Sequence, residues 1–296
     1  MQTSSASPAA ALPSVREERL SLPGVDHALA LRWSLPPPGV APTALVLHLH
    51  AGAFVAGSPR EGERVAGVLA AEGALVASLG YPLAPRRPFP QALEAVHAAL
   101  LWLQRQRKRL HADGLPLLLA GEEAGGNLAA AAALAAHDRG APPLHGQILL
   151  SPMLDVCTGT ASLRDAQAHA VQCPWSDGWR QYLASASDVL HPYAAPGRAL
   201  RLAGLPPALL VSAADDPLRD ETHAYAARLR EAGVAVSQAL LDGTTGWPAS
   251  YRDPAPAPWA QALQAHVRTF LQACRRACEP PGAAGHRLPR PAAAQG

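Results

Sequence analysis

Six short apolar runs recur along the chain, at Ala44–Leu49, Ala74–Leu79, Leu117–Ala120, Gln147–Leu150, Ala208–Ser212 and Val234–Leu241. Most are bounded by Gly, Pro or Asp and lack apolar–polar alternation, the pattern of strands covered on both faces. Segments of helical period separate most of them. Pro90–Leu110 sets Leu93, Val96, Leu100 and Leu103 on one stripe, while Asn127–Arg139 and Glu221–Ala232 stop at Gly140 and Gly233, which predicts C′ glycines. A last helix places Trp259, Leu263, Val267, Phe270, Leu271, Cys274 and Cys278 on a single face. Strands alternating with helices predict a parallel sheet with helices on both faces. The stretch from Asp155 to about Arg201 breaks this rhythm and carries Trp175 and Trp179. It lies between two strands, which predicts a cap over the carboxyl ends of the sheet, where open α/β folds bind ligands.

Residues 1–14 and 279–296 read as disordered tails around one domain at 15–278. A domain of this size buries roughly three quarters of its unfolded surface and needs no metal or disulfide staple. Hydrophobic residues make up 49% and charged ones 16%, which excludes an intrinsically disordered chain. Pro, Gly or a charge interrupts every apolar run, so no membrane span is predicted. The first 13 residues lack the basic region and apolar core of a secretory signal. A net charge of +2 gives no electrostatic footprint for nucleic acid. The one basic cluster, Arg105 to Arg109, reads as the cation-favouring end of a helix. Cys157, Cys173, Cys274 and Cys278 form no CxxC and no zinc spacing, so neither metal nor cofactor is expected and a reducing cytoplasm is the predicted setting. Lys108, Asn127 and Ile148 are each the only residue of their type, a GC-rich coding bias that points to a bacterial source.

Three loops that follow strands carry candidate chemistry. In His50-Ala51-Gly52-Ala53-Phe54, small residues let backbone N–H groups face a cavity, as an oxyanion hole requires; a tight strand-to-helix turn would use the same residues. Gly121-Glu122-Glu123-Ala124-Gly125-Gly126-Asn127 keeps both glycines of the elbow pattern G-x-S-x-G, with Glu123 at its centre. Asp215-Asp216-Pro217-Leu218-Arg219-Asp220-Glu221 also reads as a plain helix N-terminus, with Pro and acids in the first turn.

In this order, these loops resemble the hormone-sensitive-lipase-like branch of the α/β-hydrolases, the bacterial group IV carboxylesterases. The family pattern runs HGGGF, YRLAPE, FPAA…AL.WL, GDSAGGN, DPLRDE and HGF. It is matched here at His50–Phe54, Tyr81–Pro85, Phe89-Pro90 with Ala99-Leu100 and Trp102-Leu103, Gly121–Asn127 and Asp216–Glu221. The resemblance covers about Leu20 to Ala273. It implies an α/β-hydrolase fold, with a mostly parallel central sheet flanked by helices and a reduced cap at about 155–201. Family enzymes use a Ser nucleophile, a His base and an Asp that orients the His. The resemblance puts Glu123 at the nucleophile position, Asp216 at the acid position and Thr245, in Thr245-Gly246-Trp247, at the base position. It puts the oxyanion hole at Gly52, Ala53 and Ala124, after the His50 motif. No histidine occurs between His223 and His266, Ala51 and Ala53 replace loop glycines, Pro82 and Arg86 replace the family's Arg and Glu, and Ala95 stands where Asp is usual.

Such a chain lacks both the attacking hydroxyl and the base, and loss of triad members leaves at best roughly 10³–10⁴-fold catalysis over water. The expectation is a non-hydrolytic pseudoenzyme that binds a small apolar ligand, as the plant gibberellin receptors of this branch do without the His. Glu123, at a helix N-terminus, is expected to turn into the vestigial oxyanion hole toward the amides of Gly52, Ala53 and Ala124. Two alternatives stay open: a weak or altered hydrolase with a carboxylate at the elbow, and a structural or partner-binding protein that dimerises through the edge strand or last helix.

Overall fold

A computed structural model describes residues 15–156, 159–167, 173–253 and 257–279. The tail expected at 1–14, all but the first residue of that at 279–296, and Cys157 lie outside the described residues. Eight strands, β1 (Val15–Leu20), β2 (Leu29–Ser34), β3 (Ala44–Leu49), β4 (Ala74–Gly80), β5 (Leu117–Glu122), β6 (Gly146–Leu150), β7 (Ala208–Ala213) and β8 (Val236–Leu241), form one sheet in the order β1-β2-β4-β3-β5-β6-β7-β8. β1–β2 and β2–β4 pair antiparallel, and the other pairs are parallel. Helices α1 (Glu63–Ala71), α2 (Gln91–Gln106), α3 (Ala124–Asp138), α4 (Ala161–Gln167), α5 (Pro174–Tyr182), α6 (Arg219–Glu231) and α7 (Pro258–Cys278) complete the chain.

Side-chain alternation along each strand splits the core into two layers. Leu45, Leu47 and Leu49 of β3 join Leu93 of α2, Leu128 of α3 and Tyr225 of α6 on one face of the sheet. Ala44 and Val46 join Val65 of α1 and Leu263 and Val267 of α7 on the other. The α7 stripe is as predicted, with Trp259, Leu263, Val267, Phe270, Leu271 and Cys274 buried and Cys278 half-buried. α3 is buried from Ala124 to Ala136, because a face of alanines lets a strong helix former lie close against the sheet. Gly140 and Gly233, just past α3 and α6, have positive φ, as expected of C′ glycines.

The six apolar runs fall on β3 to β8, with β8 beginning at Val236 rather than Val234. The pattern did not anticipate β1, β2 and α1. Between β6 and β7 the chain forms α4, α5 and two short 3₁₀ turns, tied to the body by the Asn127 side-chain amide of α3, which donates to the Ala194 carbonyl at 3.1 Å. α5 lies on the loop after β3, and Gly178 makes this possible: a Cβ there would come within 2.3 Å of the Ala53 carbonyl oxygen. Gly178→Ala is therefore expected to lower stability by about 1–3 kcal/mol, the usual cost of overpacking. The readouts are thermal unfolding and a red shift of tryptophan emission from Trp175 and Trp179; an unchanged melting temperature would show that α5 does not depend on this contact.

Candidate active site at the carboxyl ends of the strands

Five neighbouring parallel strands each deliver a site residue just past their carboxyl ends: His50–Phe54 after β3, Glu123 after β5, Ser151 after β6, Asp216 after β7 and Thr245 after β8. This end of an open α/β sheet is where ligand sites form, because successive loops converge there. Glu123 stands on the turn between β5 and α3 with φ 52° and ψ −116°, a sparsely populated conformation for a non-glycine residue. The turn is feasible because its neighbours have no side chains. A Cβ on Gly125 would lie 2.0 Å from the Leu49 carbonyl oxygen, and one on Gly121 would lie 2.3 Å from that of Gly125.

The Glu123 side chain turns into the loop after β3. Its Oε2 accepts the amide N–H of Gly52 at 2.5 Å and of Ala53 at 2.8 Å, and its Oε1 accepts the Trp175 indole N–H at 2.8 Å. Two of the three expected amides are thus on the carboxylate. The third donor is Trp175 of the cap, and the Ala124 amide is not among the donors to this group. The amides point inward because Gly52, Ala53 and Phe54 all have positive φ, at 137°, 47° and 67°. Glu123 and Trp175 are only 6% and 8% exposed, so the carboxylate and the indole fill the crevice above the elbow.

A second network holds the loop from below. The His48 ring joins Ser78 Oγ at 2.9 Å and Glu122 Oε2 at 2.8 Å, and Glu122 Oε1 accepts the Ala51 amide at 3.3 Å. Ser, His and Glu are linked in sequence across β4, β3 and β5, but all are buried, so this chain braces the loop and does not meet a ligand. His50 is buried against Tyr81, with ring centroids 4.2 Å apart, and its Nδ1 bonds to the Ala51 carbonyl at 2.7 Å. Burial pulls its pKa down to about 3, so the ring is neutral at physiological pH.

Asp216 Oδ1 accepts the Ser151 hydroxyl at 2.6 Å and the Leu218 amide at 2.8 Å, while Oδ2 is buried with no hydrogen-bond partner among the described residues. Burial pushes this carboxyl up to about 6, with the neighbouring Asp215 charge adding to the effect. Thr245 does not face Asp216. Its amide and hydroxyl donate to Asp215 at 2.8 Å each, and the Gly246 amide also donates to Asp215 at 2.8 Å. Despite its partial burial, Asp215 is held below the usual carboxylate range by these amides and the hydroxyl. Tyr251, in the turn that follows, has a buried hydroxyl without a partner among the described residues. Burial, then the carboxylates of Asp216, Glu122 and Glu123, push its pKa well up.

Sequence reading missed Ser151, the His48–Glu122 pair and the role of Trp175. Ser151 had one available signal, its place immediately after a buried parallel strand. The other two come from contacts between distant segments and leave no local pattern. Among the described residues no group of three His, Cys, Asp or Glu side chains could hold a metal ion, and no helix is long and apolar enough to cross a membrane.

A family model described as the alpha/beta hydrolase fold matches residues 46–245. Esterase LipI of Mycobacterium tuberculosis is 35% identical over 246 residues, 79% of this chain and 77% of the esterase. An ethyl acetate hydrolase of Pseudomonas putida is 33% identical over 228 residues, 74% of this chain and 71% of the hydrolase. Among solved structures, an arylesterase superposes with a TM-score of 0.79 at 27% identity, covering 90% of this chain and 86% of its own. A bacterial heroin esterase superposes with a TM-score of 0.74 at 32% identity, covering 90% and 85%. With the family model matched over residues 46–245 and esterase relatives at 33–35% identity over more than two thirds of the chain, the chain belongs to the α/β-hydrolase family, in its esterase-like, hormone-sensitive-lipase-related branch.

Proposed function

We propose that this esterase-like α/β-hydrolase chain is a pseudoenzyme: it does not turn over esters and uses the elbow crevice to bind a small apolar ligand. The observation that carries this reading is the Glu123 carboxylate on the Gly52 and Ala53 amides, the donors a hydrolase would keep free for a developing oxyanion. The other oxygen, Oε1, accepts the Trp175 indole N–H, so attack by Glu123 through Oε1 would first have to displace that donor. Among the described residues no imidazole donates to Asp216 either. The three histidines nearest these strand ends in sequence are engaged elsewhere: His48 with Ser78 and Glu122, His50 with the Ala51 carbonyl, and His223 with Ser212 at 3.1 Å. Without a hydroxyl at the elbow and a base to take its proton, acyl transfer has neither nucleophile nor general base. Cys274 and Cys278 stand one turn apart on α7 and read as a packed face and not as a redox pair, in keeping with a reducing bacterial cytoplasm as the setting.

A partner-binding role is a second reading, favoured by the crevice being filled by the chain's own Glu123 and Trp175. Initial rates on p-nitrophenyl acetate and butyrate test the first. Because Glu123 occupies the oxyanion amides, the native chain is expected to stay below the roughly 10³–10⁴-fold over water that a hydrolase keeps after losing its triad. Clear turnover that disappears in a folded Glu123→Gln variant would overturn the pseudoenzyme reading in favour of a carboxylate mechanism.

A further inference from the structure

The cap and the oxyanion loop share one carboxylate. Glu123 holds the loop through its Oε2 and the cap helix α5 through its Oε1, so three N–H donors from two separate segments converge on one side chain. The surrounding wall is aromatic. Phe54 stacks on Tyr182 with centroids 3.9 Å apart and meets Trp179 at 5.1 Å, while the Phe89 amide donates to the Tyr182 carbonyl at 2.7 Å. Behind the loop lies a guanidinium: a Cβ on Gly52 would be 2.9 Å from Arg252 Nη2, whose side chain also pairs with Glu61 at 3.6 Å.

Hydrogen bonds to a charged acceptor are roughly twice as strong as those between neutral groups. Buried N–H groups stripped of an acceptor are costly, so Glu123 leaves the cradle only when another acceptor takes its place. The replacement has to present two acceptor oxygens, one to the amides and one to the indole, beside an apolar body that suits the aromatic wall. A carboxylate does this; an alcohol or a primary amide does not. Because the ligand's second oxygen takes over the Trp175 indole from Glu123, the cap helix stays attached through the ligand and only the Glu123 side chain has to move.

We propose that Gly52 N–H, Ala53 N–H and Trp175 Nε1–H form a binding site for a small apolar monocarboxylate, kept shut by Glu123 as an internal ligand that the incoming carboxylate displaces. This rests on the binding role proposed above and supplies its ligand class. The tethered carboxylate weakens apparent affinity by the fraction of time it occupies the cradle, and removing it lifts that competition.

The test has two arms. In Glu123→Ala the deleted atoms match acetate in size, so acetate is expected to raise the melting temperature and to bind at least thirtyfold tighter than to the native chain. Acetamide is expected to do neither, and Glu123→Ala/Trp175→Phe should lose at least tenfold in acetate affinity. In the native chain, phenylacetate is expected to shift the Trp175 indole resonance, assigned with Trp175→Phe, while the indole stays protected from hydrogen exchange; phenylacetamide should leave the resonance unchanged. Equal binding of acetate and acetamide, an undiminished affinity in the double variant, or an indole that does not respond to phenylacetate would each overturn the proposal. If Glu123→Ala does not fold, the native arm decides alone. Ester turnover by the native chain would refute the non-hydrolytic reading, while the indole response would still report whether a carboxylate enters the cradle, so the two failures are distinguishable.

Discussion

Supplying both missing groups at once, in Glu123→Ser/Thr245→His, is expected to raise p-nitrophenyl acetate hydrolysis about 10²–10⁴-fold over either single variant, the usual contribution of a positioned general base. The scaffold retains what this needs. The elbow at Glu123 already has the backbone conformation that lifts its side chain to the top of the sheet. Removing the glutamate frees the Gly52 and Ala53 amides for an oxyanion. Asp216 keeps one oxygen on Ser151 and the Leu218 amide and leaves Oδ2 buried without a partner among the described residues. An imidazole N–H would fill that open valence, since the acid of a triad accepts from the histidine it orients. The Thr245 amide remains on Asp215 whatever side chain follows it, so the backbone of the substituted residue stays in place.

Neither single variant is expected to work. Glu123→Ser alone supplies a hydroxyl with no base, and Thr245→His alone has no nucleophile and still faces an occupied oxyanion hole. Groups that act as a unit are strongly non-additive, and that is the pattern to look for. A double variant that folds with a native melting temperature but stays at background would show that the chain has lost more than two side chains. The first suspect would then be Tyr251, whose hydroxyl is buried close enough to feel the Asp216 and Glu123 charges.

The parallel half of the sheet was legible in the sequence because its strands are buried on both faces and read as unbroken apolar runs. β1 was not, since Val-Arg-Glu-Glu-Arg-Leu is a largely exposed edge strand whose charges mask any period. β2 does alternate, with Leu29, Leu31 and Trp33 buried, but over only six residues beside a proline-rich turn. In α1 the buried Val65, Val68 and Leu69 are diluted by Gly67 and alanines. At the site, the motifs located Glu123, Asp216 and Thr245 on the correct strand ends but said nothing about what each side chain touches. Thr245 turning to Asp215, and Trp175 reaching Glu123 from 52 positions away, depend on how loops pack once the sheet has formed. The carboxylate in the amide cradle was foreseeable because its cause is local: an acid at a helix N-terminus beside unpaired N–H groups.

Among the buried carboxyls whose pKa is raised, Glu221 makes the largest pH-dependent contribution. Its Oε2 accepts the Leu154 and Asp155 amides at 2.8 and 2.9 Å, which brace the entry to the cap. Burial nevertheless pushes this carboxyl up to about 8, and the carboxylates of Asp155 and Asp216 add to that. A carboxyl whose folded pKa is raised binds more protons in the native state, so its stabilising effect is complete below the unfolded value and is lost as pH rises through the folded one. Asp216 follows the same sign but finishes near pH 6, and His50, held down to about 3, acts in the opposite sense and only below 6.5. Between pH 6.5 and 8, Glu221 is the dominant one of these three. The native chain is expected to lose about 2 kcal/mol of unfolding free energy across that window, one proton's worth. Glu221→Gln keeps an acceptor for both amides and mimics the protonated acid, so its urea-unfolding free energy should be nearly flat from pH 6.5 to 8. It should match the native value within about 1 kcal/mol at pH 5 and exceed it at pH 9 by about 4 kcal/mol. A variant whose pH profile runs parallel to the native one would show that Glu221 stays ionised in the folded protein, held so by the two amides against its burial.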